Sequence, residues 1–300
     1  MQQEELVAVR AEPAAEEHAS TSPVHGLWAL TNRELKKWYK VPMLLFFSLI
    51  QPVIWLTLYG TGMNFGTLFA KGISIPGVPP SEVASLSSQF MLNVFGVSNY
   101  FSFLAVGMLS FIVLFTAMFS GMSVVWDRRF GFLDKVLSTP VSRGAIIMAK
   151  VFSSVVRSLA QAAIVLVIAV LMDMDTSHFS VVGIAGTFAA LFLMTLGLSS
   201  IFVMLALRSS DWQTQMAIMN LLNLPLLFAS NALFPAKFMP AALQYVVRLN
   251  PISYGTDIGR QLLLGAPGLN TLAFDFSFLA GFAVVFSAIG VVLSWRYLTR

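Results

Sequence analysis

Long apolar runs separated by short charged stretches fill the chain from about residue 43 onward. Six of these runs reach the roughly 20 residues, at about 1.5 Å each, that a helix needs to cross a bilayer. They predict spans near 43–61, 101–126, 149–172, 181–207, 213–231 and 273–295 in an all-α membrane fold. Ahead of the first span, Val24, Leu27, Trp28, Leu35, Trp38 and Tyr39 recur largely on one helical side, with Arg33, Lys36, Lys37 and Lys40 displaying charge around it. That pattern predicts an amphipathic helix lying in the membrane interface. The segment 232–272 is also apolar, but Phe234-Pro235, Met239-Pro240 and Asn250-Pro251 cut it into pieces of about 10 residues, too short to span. It predicts two short helices lying in or dipping into the outer leaflet, where irregular backbone survives only under a cover of protein or a wet cavity.

Charge orients these spans. Twelve Lys and Arg residues, running from Arg33 to Arg300, fall on one side, and Lys71, Lys237, Arg248 and Arg260 fall on the other. The richer side is cytoplasmic under the positive-inside rule, so both termini are expected inside the cell membrane. Residues 1–23, with Glu4, Glu5, Glu12, Glu16 and Glu17 against Arg10, read as a disordered acidic cytosolic tail. The tail lacks the basic start and apolar centre of a signal peptide, so nothing predicts its cleavage. Outside, a long loop at 62–100 contains Pro76, Pro79 and Pro80, and a very short one contains Asp173, Asp175 and His178.

Composition narrows the function. At 57% apolar and 11% charged residues the chain lies far from the soluble range, where about a quarter of residues are charged. It has no cysteine, and His18, His25 and His178 are scattered, so disulfide, thiolate and metal chemistry are not expected. The net charge of +4 records topology rather than an affinity for nucleic acid. No Gly-x-x-x-x-Gly-Lys-Ser/Thr pattern occurs, so the chain is expected to bind no cofactor and to be no ATPase itself.

Against this background the stretch from Trp126 to Arg143 stands out, because it alternates Asp127, Arg128, Arg129, Asp134, Lys135 and Arg143 with Phe130, Phe132, Leu133, Val136 and Leu137. Asp127 is read as starting a turn that Gly131 loosens, Phe130, Leu133 and Leu137 fall at helical spacing, and Thr139 before Pro140 reads as the N-cap of the next helix. The pattern fits a docking helix for another protein or a linker lying on lipid headgroups. Within the third span, Arg157 sits about 9 Å deep with Gln161 one turn further on, and either snorkels to the surface or pairs with a helix end, or attracts anionic substrate headgroups. In the fifth, Met216, Asn220 and Asn223, with Met219 and Pro225, either line a translocation path or glue helices together. Asp257 and Arg260, three apart, are expected to pair on one helix face, as a structural ion pair before a ligand clamp. Gly255 and Gly259 make a small-xxx-small face.

Trp126 to Arg143, continued by Gly144-Ala145-Ile146-Ile147-Met148-Ala149-Lys150, resembles the signature of the ABC-2 family of transporter permeases, above all the drug-resistance and nodulation-type exporters. Ser230-Asn231-Ala232-Leu233-Phe234-Pro235, Met239-Pro240 and Asn250-Pro251-Ile252-Ser253-Tyr254 are similar to that family's outer re-entrant region. The resemblance covers roughly residues 24–300, as one transmembrane domain. It implies a permease subunit that exports a hydrophobic or amphiphilic cargo (a drug, lipid or lipid-linked glycan), works beside a second permease copy, and is driven by a separate cytosolic ATPase that binds ATP and Mg. It assigns coupling to that ATPase to Arg128, Arg129, Phe130, Gly131, Phe132, Leu133, Asp134 and Lys135. Two positions depart from the pattern: Asp134 stands where many relatives have Glu, and Val106-Gly107 where they often have Pro-Gly, which predicts a straighter second span. An ion-gradient transporter, which would show a midplane ionisable group and internal repeats, and a non-transporting membrane scaffold are the alternative readings.

Overall fold

The computed structural model describes residues 23–62, 80–209 and 211–298. The acidic tail with His18 and most of the proline-containing outer loop, including Lys71, fall outside the described residues, as does Arg300. The described residues form helices and no strand. In chain order these are α1 (Pro23–Tyr39), α2 (Pro42–Trp55) with a π-helical continuation (Leu56–Thr61), α3 (Pro80–Phe95), α4 (Tyr100–Arg129), α5 (Phe132–Leu137), α6 (Arg143–Leu171) and α7 (Val181–Arg208). There follow α8 (Trp212–Phe228), a 3₁₀ turn (Ala236–Phe238), α9 (Ala241–Leu249), α10 (Pro251–Leu264) and α11 (Leu272–Leu298). An apolar environment offers no water to unpaired backbone groups, so such runs close their hydrogen bonds internally as helices.

Among the described residues, four stretches are long and apolar enough to cross a membrane: Ser88–Arg129, Arg143–Leu171, Val181–Arg208 and Leu272–Tyr297. The two other runs expected to span are helical but shorter, Pro42–Trp55 with its π-helical turn and Trp212–Phe228. Side-chain acceptors open several helices. Asn99 Oδ1 accepts from Ser102 N (2.7 Å), Ser180 Oγ from Gly183 N (2.9 Å) and Asp211 Oδ1 from Thr214 N (2.8 Å). Ser142, rather than the expected Thr139, caps α6 through Ala145 N. Thr139 turns its hydroxyl back onto Val136 O, closing α5 instead. Each such cap contributes about 1 kcal/mol.

Helix α7 is the hub, packing on α4, α6, α10 and α11. Close approach between these helices depends on missing side chains. A Cβ on Gly121 would lie 2.5 Å from Phe202 O, and one on Gly107 2.2 Å from Ala232 O. Helix α4 runs unbroken through Val106-Gly107, so this glycine serves packing. Gly255 meets Met194 and Gly259 meets Val106, so the small-xxx-small face of α10 is used within the subunit. Hydroxyls stitch the same helices together, Ser158 with Thr195 (2.9 Å), Ser199 with Ser154 (2.8 Å) and Thr256 with Ser110 (2.8 Å). Such bonds in membrane proteins contribute about 0.6 kcal/mol each.

The broken segment after α8 has an internal skeleton. Asn250 donates from Nδ2 to Leu226 O and Ala229 O, the open carbonyls at the end of α8, while its Oδ1 caps α10 at Ile252 N. Arg260 is 3% exposed and does not form the expected pair with Asp257. Its guanidinium donates to Phe103 O, Asn231 O and Ala232 O and lies 3.3 Å above the Phe103 ring. Asp257 turns to Leu269 N and Gln261 instead. Two carbonyls of the chain break and Phe103 O of α4 take four hydrogen bonds from Arg260, which spacing along one helix could not foretell.

Candidate functional site

At the end of the bundle that carries α1, helix α4 stops at Arg129 and the chain reverses through Phe130 and Gly131 into the short α5. Gly131 has φ +65°, a left-handed value that a Cβ would strain. This corner splits the candidate coupling residues into two sets. Leu133 and Val136 point into the bundle, and Phe132 is half-buried beneath Arg33, whose guanidinium carbon lies 3.1 Å from the ring centroid. Arg129, Phe130, Asp134 and Lys135 face outward, with Phe130 78% exposed. The expected single stripe of Phe130, Leu133 and Leu137 does not form, because helical periodicity is broken at the Gly131 corner.

Beneath the corner lies a buried ionic clamp joining α1, α4 and α6. Lys150 Nζ sits 2.6 Å from Asp127 Oδ2 and 3.4 Å from Glu34 Oε1. Lys37 spans the same two carboxylates at 3.1 Å each, and Arg33 lies 2.9 Å from Glu34 and 3.7 Å from Asp127. Asp127 therefore does not start a turn: it belongs to the last turn of α4 and faces inward. Ser123 Oγ accepts a further bond from Lys150 at 3.2 Å. Buried charges persist only when paired and hydrogen-bonded in this way. Sequence reasoning treated Lys150 only as a topology marker and passed over Glu34. The readable signal was a lysine embedded in an apolar helical run, which needs a partner.

Arg128 is committed to the fold as well, donating to Ser209 O (2.7 Å) and Leu207 O (3.1 Å) at the end of α7. There it satisfies open carbonyls and meets the negative end of the helix dipole. Trp126 stacks on Trp212 of α8 at 5.4 Å. Val125, Arg128, Arg129, Asp211, Trp212 and Gln213 line a recess of about 420 Å³ beside the exposed Phe130.

The candidate path residues lie on two separate helices. On α6, Gln161 accepts from Thr116 Oγ1 (2.7 Å) and donates to Ser48 Oγ (2.6 Å), tying α2, α4 and α6 together. Arg157 is half-buried and donates from Nε to Ser153 O of its own helix, with no carboxylate paired to it among the described residues. On α8, Asn220 is exposed, Met216 is half-buried, and Asn223 holds a buried Oδ1 with no hydrogen-bond partner among the described residues.

Stacked apolar helices, a broken segment braced by Arg260 and a charged corner at one end of the bundle together define a multi-pass helical membrane protein. The chain belongs to the ABC-2 type transporter family, whose sequence model matches residues 25–264. Members of this family are membrane transport subunits, not the ATPase, and normally work with an ABC ATPase. The transport permease ycf38 of Cyanophora paradoxa is 30% identical over 232 residues, covering 77% of this chain and 71% of the relative. The daunorubicin resistance ABC transporter permease protein DrrB1 of Streptomyces coeruleorubidus is 23% identical, covering 63% and 66% respectively. Nodulation protein J of Rhizobium meliloti is 24% identical, covering 80% and 81%.

Proposed function

We propose that the chain is the membrane-spanning subunit of an ATP-driven exporter and that the corner formed by α4 and α5 receives the force of a separate ATPase. The observation that carries this reading is the split of the corner: Phe130, Asp134 and Lys135 stand outward while Phe132 and Leu133 are held against α1 and the bundle. A displacement applied to Phe130 would pass through Phe132 and Arg33 to α1, and through Asp127 and Lys150 to α6. In this reading α2 and α8 complete a six-span subunit in the cell membrane with both termini cytoplasmic. Two copies assemble around a path bordered by the α8 face of Met216, Asn220 and Asn223, with Arg157 and Gln161 nearer the first and third spans. Similarity to a daunorubicin-resistance permease supports an amphiphilic cargo, for which an apolar wall with few hydrogen-bonding groups is suited.

The test is co-expression of the permease with its ATPase. Phe130→Asp is expected to leave thermal stability unchanged while lowering co-purification and transport by about tenfold or more, as loss of an exposed aromatic anchor does. Leu133→Asp, facing inward, is expected to lower stability itself. Wild-type transport by the Phe130 variant would sink the assignment.

A further inference from the structure

We propose that the face of α1 turned away from the bundle is a binding site for an anionic phospholipid headgroup of the adjacent leaflet. Arg33, Lys36, Lys37 and Lys40, spaced by three and four residues, line an open recess of about 540 Å³ together with Ala29, Asn32 and Val41. No carboxylate is among the lining residues. Arg33 and Lys37 lean inward to the clamp, where they and Lys150 face only Glu34 and Asp127, leaving one positive charge in excess. Lys36 and Lys40 are exposed and pair with no carboxylate among the described residues. The recess therefore presents Lys36 and Lys40, without paired carboxylates among the described residues, beside a clamp that carries a positive charge in excess.

Its level identifies the source of the anion. Val41 closes the recess and leads directly into α2, whose exposed Met43, Phe46 and Phe47 are suited to acyl chains. Trp28 and Tyr39, also exposed, mark α1 as lying where amphipathic rings settle between headgroups and hydrocarbon. A headgroup phosphate at Lys36 and Lys40 would thus have its acyl chains beside α2, which a soluble anion would leave unused. A zwitterionic lipid brings a cation into the same field and gains less. Because Arg33 also rests on Phe132, the bound headgroup would share a residue with the base of the α5 corner.

The experiment compares the full-length permease in bilayers of phosphatidylcholine alone and of phosphatidylcholine mixed with phosphatidylglycerol. Lipid retention is read by native mass spectrometry after extraction, and affinity by competition against a fluorescent phosphatidylglycerol. Phosphatidylglycerol is expected to be retained over phosphatidylcholine. The double variant Lys36→Gln/Lys40→Gln should bind it about tenfold or more weakly, and Lys36→Arg/Lys40→Arg should keep it. Lipid-free melting temperatures of all three proteins should agree, because neither lysine braces the bundle. Equal retention of the two lipids, or undiminished binding by the glutamine variant, overturns the proposal. Inorganic phosphate displacing the fluorescent lipid as effectively as phosphatidylglycerol does would also overturn it, by making the ligand a free anion.

Discussion

Lys150 shows how much one side chain can carry. It is buried between two carboxylates on other helices, so its removal leaves Glu34 and Asp127 facing each other with only Arg33 and Lys37 to balance them. Breaking a buried ion pair from one side costs roughly 3–5 kcal/mol, and the two remaining cations place this case near the lower end. Lys150→Met is therefore expected to destabilise by about 3 kcal/mol, read as a fall in the unfolding midpoint of the detergent-solubilised protein. Adding Asp127→Asn should recover part of the loss, because the uncompensated charge goes with it. Gly107 makes a steric counterpart. Its added methyl would strike the Ala232 carbonyl at 2.2 Å, and Gly107→Ala is expected to cost about 1–3 kcal/mol by overpacking. Unchanged thermal stability in the alanine variant would show that the α4 backbone can move away at no cost.

Among the elements, the helix-breaking segment between α8 and α10 depends on Arg260 rather than on regular hydrogen bonding. Its planar fork reaches three carbonyls at once, which an ammonium cannot do. Arg260→Lys should lower stability by about 2 kcal/mol and Arg260→Met by more, with hydrogen exchange rising at residues 229–235 before it rises in α7. This segment also marks where sequence reading stops. Apolar run length located the six expected helices to within about six residues at their ends, because hydrophobic periodicity is a local property of the chain, but it missed α3 (Pro80–Phe95) in the stretch read as an outer loop. Which donors and acceptors meet across a break is non-local: Asp257 and Arg260 obey the three-residue spacing yet are drawn apart by Leu269 N on one side and by Phe103 O on the other. The α5 corner was legible as a charged, aromatic-rich module. The inward or outward sense of Phe130 against Phe132 was not, since it follows from the left-handed turn at Gly131 and from Arg33, a residue roughly a hundred positions away.

For the whole molecule, topology is the property that orders everything else, and the absence of cysteine makes it measurable without background labelling. Single cysteines at Ser138, beside the α5 corner, and at Ser177, in the opposite loop, are both expected at exposed sites. A membrane-impermeant maleimide should label Ser177→Cys in intact cells and Ser138→Cys only in inverted vesicles. Labelling of both from the same side would refute the proposed orientation. The ionic clamp also bears on how the subunit is made. Glu34 and Lys150 are 116 positions apart in the chain, and Lys37 and Asp127 are 90 apart. At ordinary elongation rates α1 leaves the ribosome on the order of ten seconds before its partner on α6 exists. Helix α1 is thus seated only after α6 has been made. Until α4 and α6 arrive, its amphipathic face has only the membrane surface to rest on, so the clamp closes only once all three of its helices have been made.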